Sequence, residues 1–244
     1  MKMRSCCAVI VAAMVILVCS AARAVVLYDG SAGTAPESQG WLAYQQLGGS
    51  PTHTTAGGKT TLDTTSAMGI QAGYSNYNLV VPVNPSFPSL SRTDGFVVSL
   101  DMKLLTESHS SNNRSGVSLI VLSNDLQGVE LAFWNNEVWV QSGSDFQHAE
   151  GAAFNTTAAT TTYDVAIHGT GYQVSANGNP ILSGSVRNYS AFGLPYNLPN
   201  FVFVGDDTTS AQGSFEFSRL AVVPEPATLA MPVIGLILSL RRRR

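Results

Sequence analysis

Val129-Glu130-Leu131-Ala132-Phe133-Trp134-Asn135-Asn136-Glu137-Val138-Trp139-Val140-Gln141 is the stretch that decides the fold. Two alternating runs flank Asn-Asn, which reads as a two-residue turn between two strands. Folding about that turn sets Trp134 against Glu137, Phe133 against Val138, Ala132 against Trp139, Leu131 against Val140 and Glu130 against Gln141. Side chains alternate across a strand, so Leu131, Phe133, Val138 and Val140 share one face, which is core. Glu130, Ala132, Trp134, Glu137, Trp139 and Gln141 share the other.

The same signal continues outward from this hairpin. Phe96–Met102, Val117–Leu122, Phe201–Val204 and Phe215–Phe217 are β-branched or aromatic runs bounded by Gly, Asn and Ser. Tyr163, Val165 and Ile167 alternate up to Gly169-Thr170-Gly171, and Tyr172, Val174 and Ala176 return. Asn177-Gly178-Asn179-Pro180 then turns the chain into Ile181 and Leu182, so three antiparallel strands form a meander. Before Thr93 the chain is richer in Gly, Pro, Ser and Thr, with short strands expected at Val25–Tyr28, Trp41–Gln45 and Thr60–Asp63. No window of eleven residues keeps a 3.6-residue apolar period, which predicts an all-β protein with one domain between Val25 and Val223.

The order of these pieces, Gly95–Leu104, the Val129–Gln141 hairpin, Tyr163 to Gly184, Phe201–Asp207 and Phe215–Val222, resembles a concanavalin A-like or laminin-G-like jelly roll. The resemblance implies an antiparallel β-sandwich. An immunoglobulin-like sandwich is the rival, and the missing Cys…Trp…Cys pattern weakens only its disulfide-bearing form.

Both ends carry export signals. Lys2 and Arg4 precede the apolar run Cys6–Val18, and Ala22-Arg23-Ala24 places small residues where signal peptidase reads them. The expectation is a signal peptide over residues 1–24, passage through the secretion translocon and a mature chain that begins at Val25. At the other end Pro224-Glu225-Pro226 is followed by the apolar Ala227–Leu240 and then by Arg241, Arg242, Arg243 and Arg244. A short apolar helix closed by fixed positive charge reads as a stop-transfer signal. At about 1.5 Å per residue the span is roughly 21 Å, short of a hydrocarbon core of about 30 Å. Transient membrane insertion is therefore expected, with a short transmembrane helix serving as a poor permanent anchor.

These three parts in this order resemble the PEP-CTERM sorting signal over residues 224–244. The resemblance implies processing by an exosortase near Pro224-Glu225-Pro226 and delivery to the cell surface or the extracellular matrix.

Composition narrows the function classes further. Between Val25 and Val223 the basic residues are Lys59, Arg92, Lys103, Arg114, Arg187 and Arg219, against fifteen acidic ones, for a net charge near −9. A body of that sign offers no phosphate-neutralising surface, so no nucleic-acid partner is expected. Cys6, Cys7 and Cys19 all lie in the leader, which leaves the mature body without disulfide or thiol chemistry.

Enzymes of the concanavalin A-like fold that this domain resembles carry a Glu-x-Asp-x-x-Glu run, and this chain has none. Glu130 and Glu137 share a face, but at about 3.3 Å per residue they sit roughly 13 Å apart along the hairpin. Glycoside hydrolysis needs carboxyls about 5–9.5 Å apart, so the pair reads as two solvated charges. Trp134 and Trp139, diagonal on that face beside Glu137 and Gln141, are candidate glycan-binding residues, since an indole covers the apolar face of a pyranose. Packing beneath another layer is their ordinary alternative. His53, His109, His148 and His168 are scattered without metal-ligand spacing, so no metal or other cofactor is expected. Asp206 and Asp207, with Asp125, are candidate calcium ligands.

These observations lead to the expectation of a non-enzymatic exported protein, structural or adhesive, associated with extracellular polysaccharide. A carbohydrate-binding module is the alternative, and a divergent glycan hydrolase the third reading.

Overall fold

A computed structural model describes residues 24–224. The chain opens on β1 (Val25–Asp29), and two 3-10 turns lead past Trp41 into β2 (Leu42–Gln45). β3 (Thr52–Ala56) and β4 (Lys59–Asp63) form a hairpin, followed by β5 (Ala72–Ser75) and a small ribbon of β6 (Tyr77–Asn78) and β7 (Val81–Pro82). The long β8 (Phe96–His109) precedes β9 (Ser118–Leu122), β10 (Gln127–Trp134), β11 (Glu137–Gln141) and β12 (His148–Ala153). β13 (Thr161–His168), β14 (Gly171–Ala176) and β15 (Asn179–Ser185) make the expected meander, and β16 (Arg187–Asn188), β17 (Val202–Asp206) and β18 (Ala211–Pro224) complete the chain.

Two antiparallel sheets result. The first runs β15-β14-β13-β8-β18-β4-β3, with β1 also on β18, and the second runs β12-β11-β10-β9-β17-β5-β2, with β16 on the end of β10. The long pairing of β8 with β18, from His109–Ala211 to Phe96–Pro224, forms the spine of the first sheet. The far edge of β18 is shared: β4 takes its first half, from Ser214 to Phe217, and β1 its second, from Arg219 to Val222.

Period-two alternation places the core between the sheets. Phe96, Val98, Leu100, Met102 and Leu104 of β8 face Leu131, Phe133, Val138 and Val140 of the second sheet, with Phe215, Phe217, Leu220 and Val222 beside them. Each such side chain is worth about 1.5–3 kcal/mol when fully buried, so this interface holds the sandwich without covalent links.

The β10–β11 register agrees with the one expected from the sequence, with Trp134 opposite Glu137 and Leu131 opposite Val140. Asn177 and Gly178 both take positive φ, 50° and 76°, as the β14–β15 turn requires. β3, β5 and β12 are not marked as strands by their sequence. β12 reads His-Ala-Glu-Gly-Ala-Ala, without β-branched residues, and its pairing with β11 supplies what its propensity lacks.

The fold is an antiparallel jelly-roll β-sandwich. Residues 1–23 of the expected leader, Glu225, Pro226, Ala227–Leu240 and Arg241–Arg244 lie outside the described residues, and Pro224 is the last residue of β18. Among the described residues no helix is long and apolar enough to cross a membrane.

Candidate functional site

The outer face of the second sheet, turned away from the main core, carries the chemistry. Pairing aligns Tyr44 and Leu42 of β2, Ser75 of β5, Phe203 of β17, Ser118 and Ile120 of β9, Glu130 and Trp134 of β10, and Glu137, Trp139 and Gln141 of β11 on that side. Strands β9 and β17 are apolar on both faces. Ile120, Leu122, Phe201 and Phe203 build a second, smaller core here with Tyr77, Tyr189, Tyr196 and Leu198. The segment from Tyr189 to Leu198 thus lies over the sheet.

The tryptophan expectation meets this cover. Trp134 and Trp139 share the face as the register requires, with ring centroids 5.3 Å apart, but Trp139 is 0% exposed and Gln141 1%. The reason is β12, which pairs outside β11 and sets His148 edge-on against Trp139 at 4.4 Å. Trp134 is half-buried, stacked nearly parallel with His109 at 4.3 Å and with His148 at 5.0 Å, and its Nε1 donates to the Arg114 carbonyl at 2.9 Å. Glu137 lies 3.3 Å from His148 Nε2, out of line for a hydrogen bond. Trp134, Trp139, His109, His148 and Glu137 form a closed, largely aromatic cluster. They do not form an open platform for a pyranose, and the tryptophan pair is corrected accordingly.

Glu130 is corrected as well. It is 2% exposed, not a solvated charge, because Tyr189 and Tyr196 close over it. Tyr196 Oη lies 2.6 Å from Glu130 Oε2 and 3.1 Å from Asp207 Oδ2, so one phenol joins two carboxyls. Burial, and then the neighbouring Asp207, push the Glu130 carboxyl well above the ordinary range; burial raises Asp207 too, against hydrogen bonds from Ser118 and Tyr196. Like charges that close repel, which adds to burial in raising the Glu130 carboxyl.

Asp206 and Asp207 do not converge on one ion. Val202 and Val204 point to the main core and Phe203 to the outer one, so consecutive residues at the end of β17 face opposite sides. Asp206 is 1% exposed and bonded to Thr64 Oγ1 at 2.7 Å and to the Thr208 N–H at 3.2 Å. Burial pushes its carboxyl up to about 8. Asp125 pairs with Arg92 at 2.7 Å. Among the described residues no group of three or more His, Asp or Glu side chains is placed to hold a metal ion.

Beside the Glu130–Asp207 pair a cavity of about 460 Å³ opens between β2, β5, β9, β17, the Tyr77–Leu79 turn and the Leu194–Leu198 segment. Tyr44, Tyr77, Tyr196, Phe201 and Phe203 line it, with Leu42, Leu79, Ile120 and Leu194, and its polar groups include Gln71, Ser75, Asn78 and the half-buried Asp207. Sequence reasoning missed Tyr196 and this cavity. The signal that marks them is the continuous apolar run of Val117–Leu122 and Phe201–Val204, which requires a cover on both faces.

No protein-family model matches the chain, and no curated protein matches it in sequence. Solved structures share its jelly-roll architecture. A carbohydrate esterase from the Shiga toxin-encoding bacteriophage phi24B superposes with a TM-score of 0.55 at 13% identity, over 82% of this chain and 98% of that one. The β-glucanase of Bacillus licheniformis gives 0.47 at 7% identity, over 81% and 97% of the two chains. Alginate lyase AlgAT5 of polysaccharide lyase family 7 gives 0.45 at 14% identity, over 74% and 84%.

The expectation of a non-enzymatic body is corrected by the first of these likenesses. The carbohydrate esterase superposes above 0.5, so this architecture is one that carries enzymes. The absence of a Glu-x-Asp-x-x-Glu run removes a single catalytic arrangement. At these identities the likeness is one of fold and transfers no catalytic residue to this chain.

Proposed function

We propose that the protein is an exported β-sandwich that associates with extracellular polysaccharide and meets it at the cavity on the outer face of the second sheet. The single observation that carries this reading is the cavity itself. Tyrosine and phenylalanine rings supply flat apolar area for pyranose faces, and Asp207, Gln71, Ser75 and Asn78 supply hydrogen-bonding groups for hydroxyls. Its volume falls within the range of about 300–1,000 Å³ usual for ligand sites.

Export and sorting belong to the same proposal. The leader takes the chain through the translocon, the tail pauses it in the membrane, and an exosortase acts at Pro224-Glu225-Pro226, leaving the sandwich at the surface or in the matrix. The motif's position supports this: β18 pairs through Pro224, so Glu225 and Pro226 follow directly on the last ladder position. The test is binding of the purified protein to the host's extracellular polysaccharide, with the products analysed for new chain ends. Binding lost on Tyr44→Ala but retained on Glu216→Gln, at the first sheet, is the expected result. Equal binding by both variants removes the cavity as the site.

A further inference from the structure

We propose that this cavity selects against anionic glycan units, with Asp207 accepting hydrogen bonds from sugar hydroxyls and turning away uronates and sulfated sugars. The inference rests on the polysaccharide reading above and narrows it to a ligand class.

The lining carries the argument. Among the described residues that line the cavity Asp207 is the one charged side chain, and no Lys, Arg or His of those residues stands with it. Arg114, the cation nearest the carboxyl pair in electrostatic effect, is committed elsewhere. Its guanidinium donates to the Asn113 and Phe146 carbonyls and lies across the Phe146 ring at 5.3 Å. A carboxylate or sulfate brought into the cavity therefore finds no counter-charge and meets the Asp207 carboxyl. Like charges in apolar surroundings repel more strongly than in water, and rejection of the wrong ligand is as effective a source of specificity as added attraction.

A neutral pyranose meets the opposite situation. Its hydroxyls donate to Asp207, and its apolar faces lie against rings such as Tyr44, which is 39% exposed at the mouth. Glu130 is sealed behind Tyr196, so Asp207 is the carboxyl of the pair that a ligand reaches.

Calorimetry or affinity electrophoresis of the full chain with laminarin as the neutral glucan, alginate as the uronate and chitosan oligosaccharides as the cationic sugar tests this. The expected order is laminarin bound at least tenfold more tightly than alginate, with the gap reduced by Asp207→Asn. Leu79→Lys, at a lining position that is 78% exposed, is expected to raise alginate affinity at low salt about tenfold without loss of fold. That second variant decides the matter should Asp207→Asn fail to fold. Alginate bound as tightly as laminarin by the wild type overturns the selection while leaving the polysaccharide reading in place. Chitosan bound as weakly as alginate overturns it, because exclusion would then not depend on the sign of the charge. Absence of binding to all three and to the host's own polysaccharide removes both readings together.

Discussion

Replacing Asp206 with asparagine should make the protein more stable at alkaline pH and leave it nearly unchanged at acid pH. Asp206 sits at the end of β17, where it ties the second sheet to the first through Thr64, just beyond β4. Thr64 has one hydroxyl proton, with Asp206 Oδ2 at 2.7 Å and the Gly213 carbonyl at 3.1 Å as its possible acceptors, and it accepts from the Gly213 N–H at 2.9 Å. A neutral Asp206 donates to Thr64 and frees that proton for Gly213, so every group is satisfied. A charged Asp206 takes the proton for itself and stays buried. Burial accordingly holds its carboxyl at about 8, against an ordinary 3.8.

Because this folded value lies above the unfolded one, the native state binds the extra proton between about pH 4 and pH 8. The stabilisation is complete below that window and is lost as pH rises through it. At about 1.4 kcal/mol per pH unit the loss is on the order of 5 kcal/mol by pH 8–9. Asparagine donates to Thr64 as the neutral acid does and carries no charge. Urea titrations followed by tryptophan fluorescence at pH 4.5, 6.5 and 8.5 should show Asp206→Asn overtaking the wild type as pH rises. Glu107, Glu130 and Asp207, also raised by burial, leave a residual slope of the same sign in the variant. Parallel wild-type and variant stabilities across this range would refute the reasoning, because they would mean that Asp206 is ionised in the fold throughout.

Trp139→Ala should cost about 3–5 kcal/mol in denaturant titration, as for a fully buried ring, and the half-buried Trp134→Ala roughly half as much; no loss at Trp139 would reopen it as a ligand platform. Tyr196→Phe removes the phenol shared by Glu130 and Asp207, with an expected loss of about 1–3 kcal/mol, and an unchanged melting temperature would mean the carboxyls are satisfied without it. Glu225→Ala should leave export intact but hold the full-length chain in the membrane fraction of a host that carries an exosortase. Normal release of this variant would remove Pro-Glu-Pro as the processing signal.

The strands that alternate cleanly were legible because each has one buried face and one wetter face. Val129–Gln141 specified its own partner and register, and Tyr163–Leu182 its own meander, through short turns that allow few closures. β12 and β5 were not legible, since His148–Ala153 and Ala72–Ser75 have neither alternation nor strong β propensity and become strands through neighbours far along the chain. Of the site, the shared face of Trp134, Glu137, Trp139 and Gln141 followed from local pairing alone. Whether that face was wet did not.

The sequence by itself determined the all-β class, the central hairpin's register and the acidic, cysteine-free composition between Val25 and Val223, because these depend on composition or on residues close together in the chain. Tertiary structure alone decided which carboxyls are buried and where a ligand can enter. Glu130 meets Asp207 and Tyr196 across 66 or more residues, and Trp139 loses its water to a strand with no strand-like sequence of its own. Burial and charge coupling are properties of what covers a residue, and here the covers come from distant segments whose own composition does not name their place.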